Sequence, residues 1–227
     1  MTGTAEFSKV WNAFRPLPVP AVLRAVPGLG IWLADLGPCQ AAATELARLL
    51  DATERAEVDR LRQPADRVGL VLRRGARRIC LARYLGCAPA DIRFERGRFG
   101  KPAIATGAGL KFNASRSGAW FCIAVARCVE LGLDLERVSG FELPEDGLES
   151  VCSAAECRAL AALPELQRAT AFLRLWTAKE AVLKLRGGGF REPADVSGLL
   201  QNLRPGETVA AVDAGAGFVV HLAVACA

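Results

Sequence analysis

In "LGLDLERV", residues 131–138, Asp134 and Glu136 stand two apart in a stretch that otherwise alternates like a short strand. Residues i and i+2 of a strand point to the same side, so two carboxylates share one face with their bases about 7 Å apart. They repel unless water or a cation lies between them. A second group lies in "FLRLWTAKEAVLK" (172–184), where Trp176, Glu180 and Lys184 fall at i, i+4 and i+8 on one helical face, beside core-facing Phe172, Leu175 and Leu183. Glu180 and Lys184 alone are a surface ion pair worth about 0.3–0.5 kcal/mol. Asp134, Glu136 and Glu180 together are a three-carboxylate oxygen set of the kind Mg²⁺ takes while keeping waters and phosphate oxygens. Lys184, one turn from Glu180, then stands where it holds a phosphate that the metal also touches.

Other chemistries have little to work with. The chain has one histidine, His221, in the alternating run "FVVHLAVA", so it is read as a satisfied or rim residue and Ser-His-Asp and Cys-His catalysis are disfavoured. Eight cysteines include no CxxC pair, and several sit in apolar runs such as "WFCIAVARC" and "HLAVACA"; they read as buried free thiols. The net charge of +5 comes mostly from arginine, concentrated between Arg55 and Arg83, where Arg74 and Arg78 share a helical face. That face is either solvated or an anion site for phosphates or an acidic partner. Without interleaved aromatics or a nucleic-acid motif, DNA and RNA are not expected partners. "GLG" at 28–30 is a turn, not a dinucleotide fingerprint, and Pro102 stops "GRFGK" from opening a helix as a phosphate loop would.

The elements that must position these residues follow from periodicity. Residues 1–30 hold four prolines and are expected to be mostly irregular, followed by one strand at "GIWLADL". Residues 40–61 carry the spacing of an amphipathic helix or helical pair, and "ADRVGLVLRRGARRICLARYLG" that of a second helix, with Leu70, Ile79 and Leu81 inward and Gly86 as its stop. "DIRFERGRFGKPAI" reads as strand, turn, extended piece; "AWFCIAVAR" and "ELGLDLERV" as an antiparallel pair joined near Cys128. A helical half up to Gly187–Gly189 and a strand-rich end from Arg191 complete the chain. The class is α+β, two similar lobes in pseudo-twofold arrangement, each an antiparallel sheet packed with helices, divided into residues 1–127 and 128–227. No apolar run approaches the roughly 20 residues of a membrane span and the N-terminus has no secretory pattern, so a cytoplasmic location is expected; the chain is separately expected to be a monomer.

"FGKPAI" (99–104), "FNASRSG" (112–118), "LGLDLERV" and "FLRLWTAKEAVLK" occur in the order and approximate spacing of one known family. Between about residues 51 and 200 the chain resembles 4′-phosphopantetheinyl transferases of the surfactin-synthetase-activating (Sfp) type. The resemblance implies transfer of the phosphopantetheine arm of coenzyme A to a serine of an acyl or peptidyl carrier protein, with release of adenosine 3′,5′-bisphosphate. It implies Mg²⁺, with Mn²⁺ as an alternative, on Asp134, Glu136 and Glu180. Glu180, or a water it holds, accepts the serine proton, and Lys184 touches the phosphate. Lys179 contributes to the same charged edge, Lys101 and Pro102 lie near the adenine, and Ser115 helps hold the 3′-phosphate. Arg116 stands where the family has histidine, keeping the charge and the donors. Arg74 and Arg78 are assigned to coenzyme A or to a carrier acidic around its serine. The alternatives are a catalytically altered member that binds coenzyme A or a carrier, and another Mg²⁺-dependent phosphotransferase.

Overall fold

The computed structural model describes residues 5–97, 100–105, 109–143, 146–187 and 196–226. Phe99 of "FGKPAI", and Gly188 and Gly189 of the expected helix stop, lie outside them. The chain opens with α1 (Ala5–Asn12), where irregular structure was expected. The prolines begin only at Pro16, so nothing upstream breaks a helix. Val10 is fully buried, and Trp11 places its ring 5.1 Å from that of Trp32, tilted by 54°. After β1 (Phe14–Pro16) and β2 (Gly30–Asp35) come α2 (Ala43–Ala47), α3 (Ala52–Asp59) and α4 (Pro64–Leu85). A capping box starts α3: Asp51 accepts from the Glu54 N–H, and Glu54 accepts from the Asp51 N–H. Pro64 in the first turn costs α4 nothing, and Gly86, at φ 68°, closes it with its N–H on the Ala82 carbonyl.

β3 (Phe94–Arg96) and β4 (Pro102–Ile104) form the expected hairpin. β5 (Leu110–Ser117), β6 (Trp120–Arg127) and β7 (Glu130–Arg137) follow in succession. After α5 (Ala154–Ala161) and α6 (Glu165–Arg186), the strands β8 (Glu207–Val212) and β9 (Phe218–Ala225) end the chain. All pairings are antiparallel: one sheet has the order β1-β2-β6-β5, another β7-β9-β8. The class is therefore α+β, as expected.

The expected pairing of β6 with β7 is overturned. β6 bonds to β2 and β5, whereas β7 bonds to β9, and the chain changes sheets through Cys128 at φ 58°. Alternation explains the layering. On one face of β6, Phe121, Ile123 and Val125 join the core beneath α4. On the other, the small Cys122, Ala124 and Ala126 leave room for Leu131, Leu133 and Leu135 of β7, all completely buried, with Val220, Leu222 and Val224 of β9. Two sheets thus pack face to face between α4 on one outer side and α6 on the other. No helix of the described residues is long and apolar enough to cross a membrane. The cysteines there are all free, but only four of the eight are buried; Cys128 and Cys226, expected inside, are exposed just beyond strand ends.

Candidate active site

The seam between β5 and β7 carries the site. On β5, Asn113, Ser115 and Ser117 alternate with Phe112, Ala114 and Arg116. The first three face β7 and bond to it at two-residue steps. Asn113 accepts the Leu133 N–H at 2.9 Å, Ser115 Oγ donates to Asp134 Oδ1 at 2.8 Å, and Ser117 Oγ donates to Glu136 Oε2 at 2.7 Å while accepting the Arg137 N–H. Side chains here do what backbone ladders do elsewhere, holding two sheet edges in register. Asp134 and Glu136 share the face opposite the leucines, as their spacing required.

That face is covered by α6, and Gly132 decides how closely. A Cβ there would sit 1.9 Å from the Ala181 carbonyl oxygen and 2.3 Å from the Leu185 nitrogen, so only glycine lets the helix backbone lie on the strand. The close approach brings Lys184 Nζ to 2.5 Å from Asp134 Oδ1 and 3.1 Å from Ser115 Oγ. Glu180, one turn earlier, lies half-buried in the same field. Burial pushes its carboxyl above the usual carboxylate range; Lys184 opposes the shift, while Asp134 and Glu136 reinforce it. Glu136 is raised likewise, first by burial and against the Ser117 hydrogen bond, with Asp134 adding repulsion.

The donor set suits a hard cation. Asp134 is 4% exposed, and its Oδ2 is buried without a hydrogen-bond partner among the described residues. An orphaned buried carboxylate oxygen beside two mutually repelling carboxyls is a costly arrangement that a cation relieves. Among the described residues no group of three or more His, Cys, Asp or Glu side chains is arranged to hold a metal ion by itself. Mg²⁺ needs no such cage, because it takes one or two carboxylates and completes its shell with water and phosphate oxygens.

The other face of β5 looks onto α4. Arg116 points there because neighbouring strand residues face opposite ways, and with Arg73, Arg74 and Arg77 of α4 it lines a cleft of about 340 Å³ that Ser115, Asn113 and Pro102 border. Arg74 and Arg77 are paired with Glu57 and Glu54. Arg73 and Arg116 have no ion pair among the described residues, and burial together with the Arg116 and Arg74 charges lowers Arg73 to about 10. Crowded arginines without enough carboxylates make an anion site.

Two assignments are corrected. Arg78, placed on an accessible face with Arg74, is 0% exposed; its guanidinium is consumed by Glu54, Asp51 and the Pro89 and Ile92 carbonyls, and it locks α3 and the chain after α4 to that helix. Lys179, placed on the charged edge beside Glu180, lies on another side of α6 and is buried, its ammonium on Glu156 Oε2 and the Val151 and Ser197 carbonyls. Adjacent helical residues differ by about 100° in direction, so Lys179 and Glu180 cannot share an edge. Lys101 bonds to the Leu131 carbonyl at 2.8 Å and to Glu130, bordering with Pro102 and Lys111 a further cleft of about 420 Å³.

The sequence has counterparts among known proteins. The sequence model of the 4′-phosphopantetheinyl transferase superfamily matches residues 130–222, from the first residue of β7 into β9. A 4′-phosphopantetheinyl transferase of Nostoc sp., HetI, is 31% identical over 182 residues, covering 77% of this chain and 75% of that protein. The chain belongs to the 4′-phosphopantetheinyl transferase superfamily. A putative 4′-phosphopantetheinyl transferase of Synechocystis sp. is 33% identical over 168 residues, covering 71% and 64% of the two chains. The 4′-phosphopantetheinyl transferase Sfp of Bacillus subtilis is 30% identical over 118 residues, covering 52% and 51%. For this family member, sequence reasoning missed Gly132, Ser117 and Arg73 and underrated Asn113. A glycine within an apolar strand was a usable signal for the first, and the N-x-S-x-S alternation opposite D-x-E for the serines.

Proposed function

We propose that the chain transfers the 4′-phosphopantetheine group of coenzyme A to a serine of an acyl or peptidyl carrier protein. The observation that carries this reading is the meeting of Lys184, Ser115 and Asp134 beside Glu136 and Glu180, in a chain whose relatives carry that activity in their names. Asp134, Glu136 and Glu180, one or two of them directly and the rest through metal-bound water, would hold Mg²⁺, or Mn²⁺ in its place, which when bound supplies charge neutralisation for the pyrophosphate. The adenosine 3′-phosphate would lie in the arginine cleft with Arg116, Arg73 and Arg74, bordered by Ser115, and the adenine against Pro102 and Lys101. Arg116 in place of histidine offers a permanent, forked charge.

The chain's own residues then divide the work. Glu180, its carboxylate made more basic by burial and like charge, takes the carrier serine proton directly or through water. The serine oxygen forms a bond to the phosphorus that bears the pantetheine arm, and the bond from that phosphorus to the bridging oxygen of the pyrophosphate breaks. The electron pair leaves with adenosine 3′,5′-bisphosphate. Lys184 follows the charge, donating to the phosphate that develops it. Residues 1–127 would contribute the nucleotide contacts and 128–227 the carboxylates and α6, in a cytoplasmic monomer.

The test is intact-mass analysis of several carrier proteins after incubation with coenzyme A and Mg²⁺. A mass gain of one phosphopantetheine, abolished by chelation and by Glu180→Gln with the fold retained, is the expected result. No gain on any carrier refutes the reading.

A further inference from the structure

The sole histidine has no part in the steps above, yet it stands against the helix that performs them. His221 lies on β9 directly across from Asp134 of β7, on the side that faces α6. Its Nδ1 is 2.7 Å from Oγ1 of Thr177, a fully buried residue three positions before Glu180. The same hydroxyl lies 2.7 Å from the Leu173 carbonyl oxygen, within its own helix. A carbonyl only accepts and a hydroxyl has one proton, so that proton goes to Leu173. The imidazole must therefore be the donor, Nδ1–H to Thr177 Oγ1. Burial first, and the Arg174 charge second, lower the ring to about 4, so it is neutral in ordinary buffers with its lone pair on Nε2.

We propose that His221, as the Nδ1–H tautomer, is a positioning residue that sets where helix α6 lies along the sheet and so where Glu180 and Lys184 stand over Asp134. The contact of α6 with β7 at Gly132 limits the distance between helix and strand, but a steric limit does not stop sliding. Lys179 ties α6 to α5, and Arg186 ties its last turn to Glu207 of β8. The Thr177–His221 bond ties the middle of α6 to β9, the strand hydrogen-bonded to β7. A hydrogen bond at 2.7 Å is directional and is lost by a slip of about 1 Å, a displacement that at a reacting centre costs on the order of 100-fold in rate. The proposal rests on the assignment of Glu180 and Lys184 to phosphopantetheine transfer.

Having one histidine makes the test clean. In uniformly ¹⁵N-labelled protein, long-range ¹H–¹⁵N correlation of the ring is expected to show the proton on Nδ1; a proton on Nε2 alone overturns the proposal. Thr177→Val and His221→Leu are expected to lower kcat for carrier modification at least about tenfold with the KM for coenzyme A within about twofold. Thr177→Ser, and His221→Asn, whose amide places a donor near the Nδ1 position, are expected to recover most of it. Unchanged kcat in the Val and Leu variants, or a Ser variant no better than Val, overturns it. If wild-type protein modifies no carrier, the transferase reading falls, and the clamp is decided by the ring tautomer and by whether Thr177→Val shifts the backbone amide signals of Glu180 and Lys184.

Discussion

Replacing Gly132 with alanine tests whether the approach of α6 to β7 controls the site. The added Cβ would lie 1.9 Å from the Ala181 oxygen, 2.3 Å from the Leu185 nitrogen and 2.9 Å from the Leu185 Cα, all backbone atoms that cannot rotate away. Ordinary contact is about 3.5 Å, so the helix must withdraw by roughly 1.5 Å. That stretches the 2.5 Å Lys184–Asp134 contact to about 4 Å and carries Glu180 off by a similar amount. Overpacking of this kind costs about 1–3 kcal/mol of stability, and misplacing the groups by more than 1 Å costs on the order of 100-fold in kcat. The assay is the initial rate of carrier modification by intact mass, alongside a urea unfolding midpoint. Gly217→Ala is the control, because a Cβ there meets nothing within 4 Å and should change neither. Should Gly132→Ala keep kcat within twofold and an unchanged midpoint, the close approach does not govern the site.

Three further outcomes follow from the same geometry. Lys184→Gln removes the cation that already occupies Asp134 Oδ1, so affinity for Mg²⁺ or Mn²⁺ without coenzyme A, measured by titration calorimetry, should rise several-fold while the KM for coenzyme A rises; unaltered metal affinity would show that the two do not compete. Arg73→Ala and Arg116→Ala should each raise the KM for coenzyme A about tenfold or more, as loss of a charge-assisted contact does, and should leave the KM for dephospho-coenzyme A, which lacks the 3′-phosphate, unchanged. An equal defect with both substrates would place the arginines elsewhere. Glu207 is held below the ordinary 4.5, chiefly by Arg186; burial raises Glu156, but its Lys179 and Ser153 hydrogen bonds outweigh that, so it too ends below 4.5. Depressed carboxyls stabilise the fold above about pH 4.5 and lose that contribution as pH falls through their folded values. The urea midpoint should therefore drop between pH 5 and the acid limit, more steeply in wild type than in Glu207→Gln.

The sequence by itself determined most of the local elements, α1 excepted, and the acidic half of the site. Periodicity marked α4 and α6, Gly86 and Gly187 marked their ends, and the two-residue step of Asp134 and Glu136 guaranteed one shared face, since these are properties of neighbours along the chain. Motif order was enough to indicate the family. Only the tertiary structure decided that β7 leaves β6 for β9, because the choice depends on the small face of β6 receiving the leucines of β7, contacts between distinct elements. It also decided which charges are accessible. Arg74 and Arg78 are one helical turn apart and were indistinguishable in the sequence, yet the carboxylates of Asp51 and Glu54 bury the second and leave the first at a cleft. Lys179 and Glu180 are adjacent, and the partner brought by α5 makes the lysine structural while its half-buried neighbour lies in the field of Asp134, Glu136 and Lys184. Burial and partnership are set by what folds against a side chain, and that information is spread over residues too far apart in the chain for local pattern to carry it.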